Sequence, residues 1–354
     1  MLTRDFDYEL PSSAIAQQPV ARGESRLLVL DREGSDRHRW VADLPRLLRP
    51  GDLLVANDTR VIPARLFGRA RPGGGRVELL LVERRGGVEW DVLARPGRRA
   101  RPGAVIELAA GLDAEVMGLV GQPGDGRRRV RFSEPIERHL DQLGHVPLPP
   151  YIRRADEAAD RERYQTVFAR HPGAIAAPTA GLHFSLPLLE ELQAAGIELA
   201  WVTLHVGIGT FKPVTAPLVS EHRMERERYL IPEATAAAIA AARAARRRVV
   251  AVGTTVVRAL EGAAAAAAAE KGGEGGLPPA GAGSTDLFIS PGYRFQMIDV
   301  LLTNFHLPRS TLLMLVSAFA GRERVLAAYQ EALRVGYRFY SYGDAMLCER
   351  RQEA

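Results

Sequence analysis

Hydrophobic residues in the first half of the chain come in short runs, several of which alternate with polar residues. Between Leu53 and Phe132, turns rich in glycine, proline and arginine separate these runs. Five runs follow one another closely: Val77 to Val82, Val88 to Leu93, Ala104 to Leu108, Ala114 to Val120 and Val130 to Phe132. Because the runs are too short and closely spaced for crossover helices, they indicate antiparallel strands. The pattern predicts a small antiparallel β-barrel or sandwich over residues 64–150.

The second half of the chain alternates between apolar strands and helices. The predicted strands are Ile197 to Val206, Val249 to Val252 and Ile298 to Leu302. The predicted helices are Pro187 to Ala195, Ala234 to Arg247, Thr255 to Lys271, Ser310 to Ala320 and Arg322 to Val335. Such alternation is typical of parallel strands covered by helices, in a closed barrel or a doubly wound sheet.

Apolar runs of the same kind, Leu27 to Leu30 and Leu53 to Val55, precede the β-rich segment. The β-rich segment is therefore predicted to be inserted into the α/β domain. We expect an α/β fold with a discontinuous, barrel-like α/β domain over residues 1–63 and 151–354 and an inserted β-barrel domain over residues 64–150. The alanine run and Gly/Pro/Glu tract between Gly262 and Gly283 predict a helix end followed by a mobile surface loop from Gly272.

Composition narrows the class of protein. The chain has 354 residues, a formal net charge of +5 and 46% hydrophobic residues, which is typical of a globular protein of about two domains. Of its 47 basic residues only Lys212 and Lys271 are lysine. Arginine suits phosphate recognition, but the accompanying alanine runs favour a GC-rich genome as the main cause. The charge alone only hints at a polyanionic partner.

The cysteine content and the N-terminal sequence exclude further classes of protein. The single cysteine, Cys348, excludes a disulfide framework and a multi-cysteine metal site. Neither an apolar signal region nor a stretch of about 18 uninterrupted apolar residues is present, so we expect a cytoplasmic protein that does not enter a membrane. The histidines in the motif regions lack metal-ligand spacing, so no metal is expected.

Polar residues follow three predicted strands at their carboxyl ends, where parallel α/β sheets bind ligands. Glycines there let a ligand approach the backbone, and hydroxyl groups at helix N-termini offer an anion site. Thr254 and Ser310 are equally well explained as helix N-caps, and each histidine taken singly as a core residue. The candidates at these exits are His205, Gly207, Gly209, Thr210, Thr254, Thr255, Arg258, Asn304, His306 and Ser310.

Three further segments carry candidate residues. One follows the strand Leu53 to Val55, a second is a turn framed by proline and glycine, and a third is a charged loop that is equally well explained as a solvated surface. Their residues are Asn57, Asp58, Thr59 and Arg60; Thr179, Gly181 and His183; Glu221, His222 and Glu227. A Walker A loop, a G-x-G-x-x-G after the first strand, an H-E-x-x-H and a G-x-S-x-G are all missing.

Several long strings match a known family along the whole chain. They are GDLLVANDTRVIPARL from Gly51, PLPPYI from Pro147, YQTVF from Tyr164 and YRFYSYGDAM from Tyr337, together with the segments around Thr179, His205, Thr254 and His306. The chain resembles the S-adenosylmethionine:tRNA ribosyltransferase-isomerases of queuosine biosynthesis. The resemblance implies a catalytic α/β domain interrupted by a β-barrel.

The resemblance also implies a reaction. Family members transfer the ribosyl part of S-adenosylmethionine, their co-substrate, to the 7-aminomethyl-7-deazaguanine base at the wobble position of tRNA, which gives epoxyqueuosine and releases adenine and methionine. A base must remove a proton from the 5′ carbon beside the sulfonium, the amine must be neutral, and adenine departs more easily when protonated or hydrogen-bonded. The expected partners are S-adenosylmethionine and tRNA, and the expected state is a monomer without metal.

Histidine suits these proton transfers near neutral pH. The catalytic candidates are His183, His205, His222, His306 and Glu227, with Glu221 as an alternative carboxylate and no role assigned to each. Asn57, Thr179, Thr254 and the other polar residues at the exits are expected to bind substrate. The family usually has Met-His-x-Glu after the Glu-His pair, but here Met224 is followed by Glu225, so an imidazole at that position is not a strict requirement.

Two other functions compete with this one. A non-catalytic RNA-binding protein would use the basic surface and the barrel, but it would not need convergent polar residues at strand ends. Another S-adenosylmethionine-dependent tRNA enzyme, such as a methyltransferase, would usually have a glycine-rich first strand exit, which this chain lacks.

Overall fold

The computed structural model describes residues 1–109, 111–121, 126–207, 214–271 and 276–351, apart from the side chain of Lys271. Its strands are β1 (Arg26–Leu30), β2 (Asp36–Trp40), β3 (Leu53–Asn57), β4 (Thr59–Val61), β5 (Arg65–Arg71), β6 (Gly75–Gly86), β7 (Glu89–Arg95), β8 (Val105–Ala109), β9 (Leu112–Leu119), β10 (Arg127–Phe132), β11 (His171–Ala174), β12 (Glu198–Leu204), β13 (Glu227–Ile231), β14 (Val249–Val252), β15 (Gly281–Thr285), β16 (Val300–Asn304) and β17 (Ala345–Glu349). Its helices are α1 (Leu44–Leu47), α2 (Leu140–Leu143), α3 (Asp160–Arg163), α4 (Leu186–Ala194), α5 (Glu233–Ala244), α6 (Thr254–Lys271), α7 (Thr311–Ala320) and α8 (Arg322–Arg334).

The chain divides into two compact units. The larger comprises residues 1–60, 150–154 and 165–354, and the smaller comprises residues 61–149 and 155–164. Among the described residues, the larger unit contains a nine-stranded mixed sheet in the order β15-β13-β12-β3-β14-β16-β17-β1-β2. Its four central strands, β12, β3, β14 and β16, run parallel. The predicted α/β fold with an inserted antiparallel barrel is confirmed.

Strands β3, β14 and β16 are buried on both faces, which explains their continuous apolar sequences. Along β3, Leu53 and Val55 join one hydrophobic core, while Leu54 and Ala56 join a second core on the opposite face. Helices α5 to α8 contribute to the first core and helix α4 to the second. Helices on both faces therefore leave the carboxyl ends of the parallel strands as the natural place for a ligand.

The smaller unit is a closed antiparallel barrel in the order β10-β7-β6-β5-β8-β9. Strand β6 shows how the sequence specifies it: Val77, Leu79 and Leu81 are fully buried, and the residues between them are partly exposed. This alternation places one face of each strand inside the barrel.

Some helix and strand boundaries in the structure differ from the predicted ones. The predicted strand from Ile298 begins at Val300, and the helix predicted from Ser310 begins at Thr311 because Ser310 is its N-cap. The loop predicted to run to Gly283 is wrong in its last part, since Gly281–Thr285 forms β15 and pairs with β13. Residues 272–275 of that predicted loop lie outside the described residues.

Candidate functional site

A cleft opens in the larger unit where β14 and β16 end. It encloses about 550 Å³, including space open to solvent. Five of the predicted substrate and catalytic residues line it, which are Thr179, Thr254, Thr255, Asn304 and His306. The remaining lining residues are Tyr151, Ala177, Pro178, Ala180, Val206, Gly253, Thr303, Phe305, Leu312, Tyr340 and Ser341. The carboxyl ends of the strands thus converge as the sequence predicts.

One wall of the cleft is the beginning of helix α6. Gly253 makes the turn from β14 into the helix with φ of 89°, a left-handed conformation that favours glycine. The first helical residues, Thr254 and Thr255, face the cleft, so helix N-terminal amides and two hydroxyl groups meet there. Such an end favours anionic or electron-rich ligand groups.

Hydrogen bonds from the buried side chain of Asn57 support this wall. Its side-chain nitrogen donates to the carbonyl oxygen of Leu204 at 2.9 Å and to Thr255 Oγ1 at 3.3 Å, and its Oδ1 accepts from the backbone amides of Leu204 and Thr59 at 3.0 and 3.1 Å. Asn57 is almost fully buried. It therefore ties β3 to β12 and fixes the Thr255 hydroxyl, rather than facing the open space itself.

A second wall rests on a chain of four hydrogen-bonded side chains. Thr179 Oγ1 donates to Asn304 Oδ1 at 2.9 Å, Asn304 Nδ2 donates to His183 Nε2 at 3.1 Å, and His183 Nδ1 lies 2.8 Å from Ser25 Oγ. Because an amide nitrogen can only donate, His183 Nε2 must accept and Nδ1 must carry the proton. Burial lowers the pKa of His183 to about 4, which keeps this neutral tautomer at neutral pH.

His306 presents its ring to the cleft. Its Nε2 lies 2.8 Å from Thr303 Oγ1, and Nδ1 makes no hydrogen bond to any residue in the described ranges. The backbone is clamped by two tyrosines, since Tyr329 accepts from its amide at 2.9 Å and Tyr8 donates to its carbonyl at 2.5 Å. Burial lowers the pKa of His306 to about 3. The imidazole is therefore neutral and rigidly held, and it can accept a proton or hydrogen bond at Nδ1 in the tautomer in which Nε2 carries the ring proton and donates to Thr303 Oγ1.

His205 is half-buried next to Val206, which lines the cleft. Its Nδ1 lies 2.8 Å from Thr59 Oγ1, whose residue is fully buried. Burial is the main cause that lowers the pKa of His205, followed by the nearby cation Arg228. His205 is thus a second neutral imidazole, with Thr59 as its orienting partner.

A buried ion pair joins Glu227 to Arg258. Glu227 also accepts from the backbone amide of Gly207 at 3.0 Å, while Arg258 donates to the carbonyl of Leu287 at 3.2 Å. Burial raises the pKa of Glu227, although Arg258 opposes the shift. Arg258 Nη2 is buried without a hydrogen-bond partner among the described residues, so this pair has unused donor capacity.

Besides the supporting residues described above, five more predicted residues lie away from the cleft lining. Ser310 caps helix α7, accepting from the amide of Leu313 at 3.1 Å and donating to the carbonyl of Leu307 at 2.8 Å. The others are Asp58, which accepts from Thr203 Oγ1 at 2.6 Å; Arg60, which is exposed on β4; Gly181, which is buried in a 3-10 turn; and His222, which packs on Phe288 with ring centroids 5.1 Å apart. Gly209 and Thr210 lie outside the described residues.

Of the eleven lining residues that were not predicted as site residues, three are hydrogen-bonding or aromatic residues from two loops, which are Tyr151, Tyr340 and Ser341. Tyr151 and Tyr340 stack edge to face with ring centroids 3.9 Å apart, and Tyr151 OH is hydrogen-bonded to Ser341 Oγ. Tyr340 has φ of 76°, an unusual conformation for a residue with a side chain. Both aromatic residues belong to strings that carry the family resemblance, which was the available signal, but neither follows a predicted strand.

The described parts of the chain contain no group of three or more histidine, cysteine or acidic residues arranged to hold a metal ion. Nor is any helix in those parts long and apolar enough to span a bilayer. The cleft combines neutral imidazole, hydroxyl groups, helix amides and two aromatic faces. This set can bind a nucleoside-like ligand and move protons.

Comparison with known proteins agrees with this chemistry. The family model described as "Queuosine biosynthesis protein" matches residues 3–348. The chain belongs to the queuosine biosynthesis protein family. The family resemblance predicted from the sequence strings is confirmed.

Curated members of this family resemble the chain over its whole length. The S-adenosylmethionine:tRNA ribosyltransferase-isomerase of Moorella thermoacetica is 56% identical over 98% of this chain and 99% of its own, and that of Gloeobacter violaceus is 55% identical over 98% and 95%. The crystal structure of the S-adenosylmethionine tRNA ribosyltransferase from Thermotoga maritima matches with a TM-score of 0.53 and 38% identity, covering 97% of this chain and 99% of that one.

Proposed function

We propose that the chain transfers and isomerises the ribosyl part of S-adenosylmethionine onto 7-aminomethyl-7-deazaguanine at the wobble position of tRNA. The products are epoxyqueuosine in tRNA, adenine and methionine. The observation that carries the proposal is the full-length match, at 55% and 56% identity, to relatives bearing that enzyme's name. The enzyme uses S-adenosylmethionine as co-substrate, needs no metal, and acts as a cytoplasmic monomer on tRNA. Its catalytic domain spans 1–63 and 151–354, and its inserted barrel spans 64–150.

The cleft at the ends of β14 and β16 is the proposed site for S-adenosylmethionine. The aromatic faces of Tyr151 and Tyr340 offer stacking surfaces for the adenine ring. The hydroxyl groups of Thr254 and Thr255, together with the helix amides, suit ribose oxygens or the methionine carboxylate. Arg258 has a spare donor in Nη2, which supports a second anchor for a carboxylate or phosphate.

Proton transfer is assigned to His205 or His306 in this proposal. Both imidazoles are neutral because burial lowers their pKa, so either can accept the proton leaving the 5′ carbon. The sulfonium makes that proton acidic, which reduces the basicity that the acceptor needs. His183 differs, because both of its ring nitrogens are already hydrogen-bonded. We assign it a positioning role through Asn304.

The remaining predicted residues are assigned supporting or substrate-binding roles in this proposal, apart from one whose role is open. Glu227 is buried with Arg258 and supports it, while Asp58 and Thr59 orient His205 and its strand. His222, with its ring on Phe288, stays a catalytic candidate whose role is open. Arg60, Gly181, Gly207, Gly209, Thr210 and Ser310 stay proposed substrate-binding residues.

Adenine release tests the proposed reaction. Purified protein is incubated with S-adenosylmethionine and tRNA carrying the 7-aminomethyl base, and free adenine is measured by chromatography. The proposal requires adenine that appears only when both substrates are present. Absence of adenine across the range from about pH 6 to 9 would reject it.

Two variants test the assignment of the base. Replacing the catalytic imidazole in His205→Asn or His306→Asn should lower turnover about 100-fold or more, a usual contribution of general base catalysis. His139→Asn, in the smaller unit, is the matched control and should leave turnover unchanged. If both site variants fold and keep full turnover, neither histidine is the base.

A further inference from the structure

Six arginines at one end of the barrel have no acidic partner. Each is exposed, and none comes within 4.0 Å of a carboxylate in the described parts of the chain. We call this surface the arginine end, and it consists of Arg69, Arg76, Arg95, Arg98, Arg99 and Arg101. They come from the β5–β6 hairpin, from the end of β7 and from the segment between β7 and β8.

Six other arginines of the barrel strands are paired with acids. The contacts are Arg65 with Glu78 at 3.1 Å, Arg71 with Glu107 and Asp113 at 3.3 and 2.7 Å, Arg84 with Glu137 at 2.7 Å, Arg85 and Arg129 with Asp91 at 2.6 and 2.5 Å, and Arg131 with Glu89 at 2.9 Å. If arginine were simply in excess throughout the barrel, arginines with and without an acid partner would not be expected to occupy different places. Among the exposed arginines of the barrel strands, those without an acid partner are therefore found at one end.

The strand register adds an unfavourable contact. Arg69 and Arg76 are directly opposite each other on β5 and β6, where like charges destabilise a sheet. Arg69 also faces Glu107 on β8, but Arg71 already binds that carboxylate at 3.3 Å. Arg69 also donates to the carbonyl of Gly74 at 3.3 Å, but no carboxylate offsets the repulsion between the two guanidinium groups. A ligand that carries negative charge would relieve it.

The segment that carries three of these arginines is held by a buried one. Arg128 is only 8% exposed, and its guanidinium donates to the carbonyl oxygens of Gly97 at 3.1 Å and Ala100 at 2.6 Å. These bonds fix the backbone that presents Arg98, Arg99 and Arg101. Since the loop is ordered before any ligand binds, little entropy is lost on binding.

The neighbouring side chains are also positioned. Arg99 Nη1 donates to the carbonyl of Arg76 at 3.0 Å, and its side chain lies over Gly75, where a Cβ would come within 2.5 Å of Nε. The Arg76 guanidinium stacks on Phe67 at 4.3 Å from the ring centroid. The arginine end is thus a preorganised group of guanidinium forks rather than a set of independent flexible charges.

We propose that the arginine end docks the phosphate backbone of tRNA, as a binding surface separate in sequence from the residues of the cleft. The proposal rests on the proposed function, which makes tRNA the substrate. Guanidinium groups bind phosphate oxygens through paired hydrogen bonds, and a row of them without acids matches a polyanion rather than a single small anion. These contacts would position tRNA without reading its sequence.

Salt-dependent binding tests the proposal. The double variant R98Q/R101Q removes two arginines that make no described side-chain bond, and R84Q/R131Q is the matched control that removes two acid-paired arginines from the same barrel. Affinity for tRNA is measured by fluorescence anisotropy between about 50 and 300 mM salt. The slope of log affinity against log salt should fall in magnitude by about 1.4 to 1.8 for R98Q/R101Q. Near 0.1 M salt its affinity should drop about tenfold or more, while the control changes little.

Two comparisons make the result decisive. The variant R98K/R101K keeps the charge and should keep most of the slope, and circular dichroism verifies that every variant is folded. R98Q/R101Q should raise the KM for tRNA and leave kcat for adenine release unchanged. If R98Q/R101Q keeps the wild-type slope, or changes no more than the control, the arginine end does not dock tRNA. If the wild-type protein binds tRNA but releases no adenine, the proposed function fails instead, and the slope still tests the surface.

Discussion

Acid should destabilise this protein through its two most deeply buried histidines. His183 and His306 are both almost inaccessible to solvent, and burial lowers their pKa values to about 4 and about 3. Unfolding exposes both rings to water, where an imidazole titrates near about 6.5. The perturbation is a change in pH from about 7 to about 5, within the window in which only the unfolded chain binds these two protons.

The sign and size of the change in the free energy of unfolding follow from proton linkage. Because the unfolded state binds more protons below about pH 6.5, the free energy of unfolding falls as the pH falls, until the folded pKa is reached. About pH 5 lies some 1.5 units below the unfolded pKa and above both folded values, so each histidine removes about 2 kcal/mol of stability. Both together remove about 4 kcal/mol, a large share of the 5 to 15 kcal/mol typical of a domain.

Urea unfolding followed by circular dichroism measures the effect at both pH values. The variant His183→Asn removes one of the two titrating groups, so its loss of stability between about pH 7 and 5 should be about 2 kcal/mol smaller than that of the wild type. Comparing the two proteins cancels Glu227 and Glu261, whose pKa values are raised by burial and which act in the opposite direction. Equal losses in wild type and variant would refute the assignment of a depressed pKa to His183.

Three further predictions concern the cleft and its supports. Asn304→Asp replaces the donor to His183 Nε2 by a carboxylate, so the pKa of His183 should rise by about 1 to 3 units in an NMR titration; no rise would contradict the hydrogen-bond assignment. Gly343→Ala places a Cβ 2.4 Å from the Arg338 carbonyl oxygen and should cost about 2 kcal/mol or more in thermal unfolding, so a neutral result would contradict the tight packing. Tyr340→Gly relieves a strained φ of 76°, but it also deletes a ring that is only 8% exposed and packs on Tyr151, so it should lower stability by about 1 to 3 kcal/mol; calorimetry on the folded variant should record weaker S-adenosylmethionine binding, and unchanged affinity would remove Tyr340 from the site.

How far the sequence predicts this fold depends on where a strand lies. Strands β3 and β14 are buried on both faces, so their apolar runs are unmistakable. Strand β2 has the sequence DRHRW with every residue exposed, and β15 has the sequence GAGST. Neither carries a hydrophobic pattern, because each is defined by hydrogen bonding to one neighbour at an edge of the sheet. Edge pairing depends on the rest of the fold and cannot be predicted from the strand alone.

The residues of the cleft also differ in how well the sequence predicts them. Thr254, Thr255 and His306 were found because they directly follow strands whose ends must meet. Tyr151 and Tyr340 come from segments far apart in the chain and follow no predicted strand. The left-handed φ of Tyr340 also has no signature in its sequence, since it results from the turn in which the residue is held. Residues placed by loops therefore required the tertiary structure.

The histidines show why even correctly predicted residues had no assigned roles. In the sequence, His183 lies in a turn framed by proline and glycine and His306 follows an apolar strand, and neither position shows which ring nitrogens are engaged. In the fold, Asn304 and Ser25 occupy both ring nitrogens of His183, whereas Nδ1 of His306, a residue of the cleft lining, makes no hydrogen bond to the described residues. Burial lowers both pKa values, so charge does not separate the two residues. What separates them is the number of hydrogen bonds already made, and a ring with both nitrogens engaged can orient a neighbour but has no free site for a substrate proton.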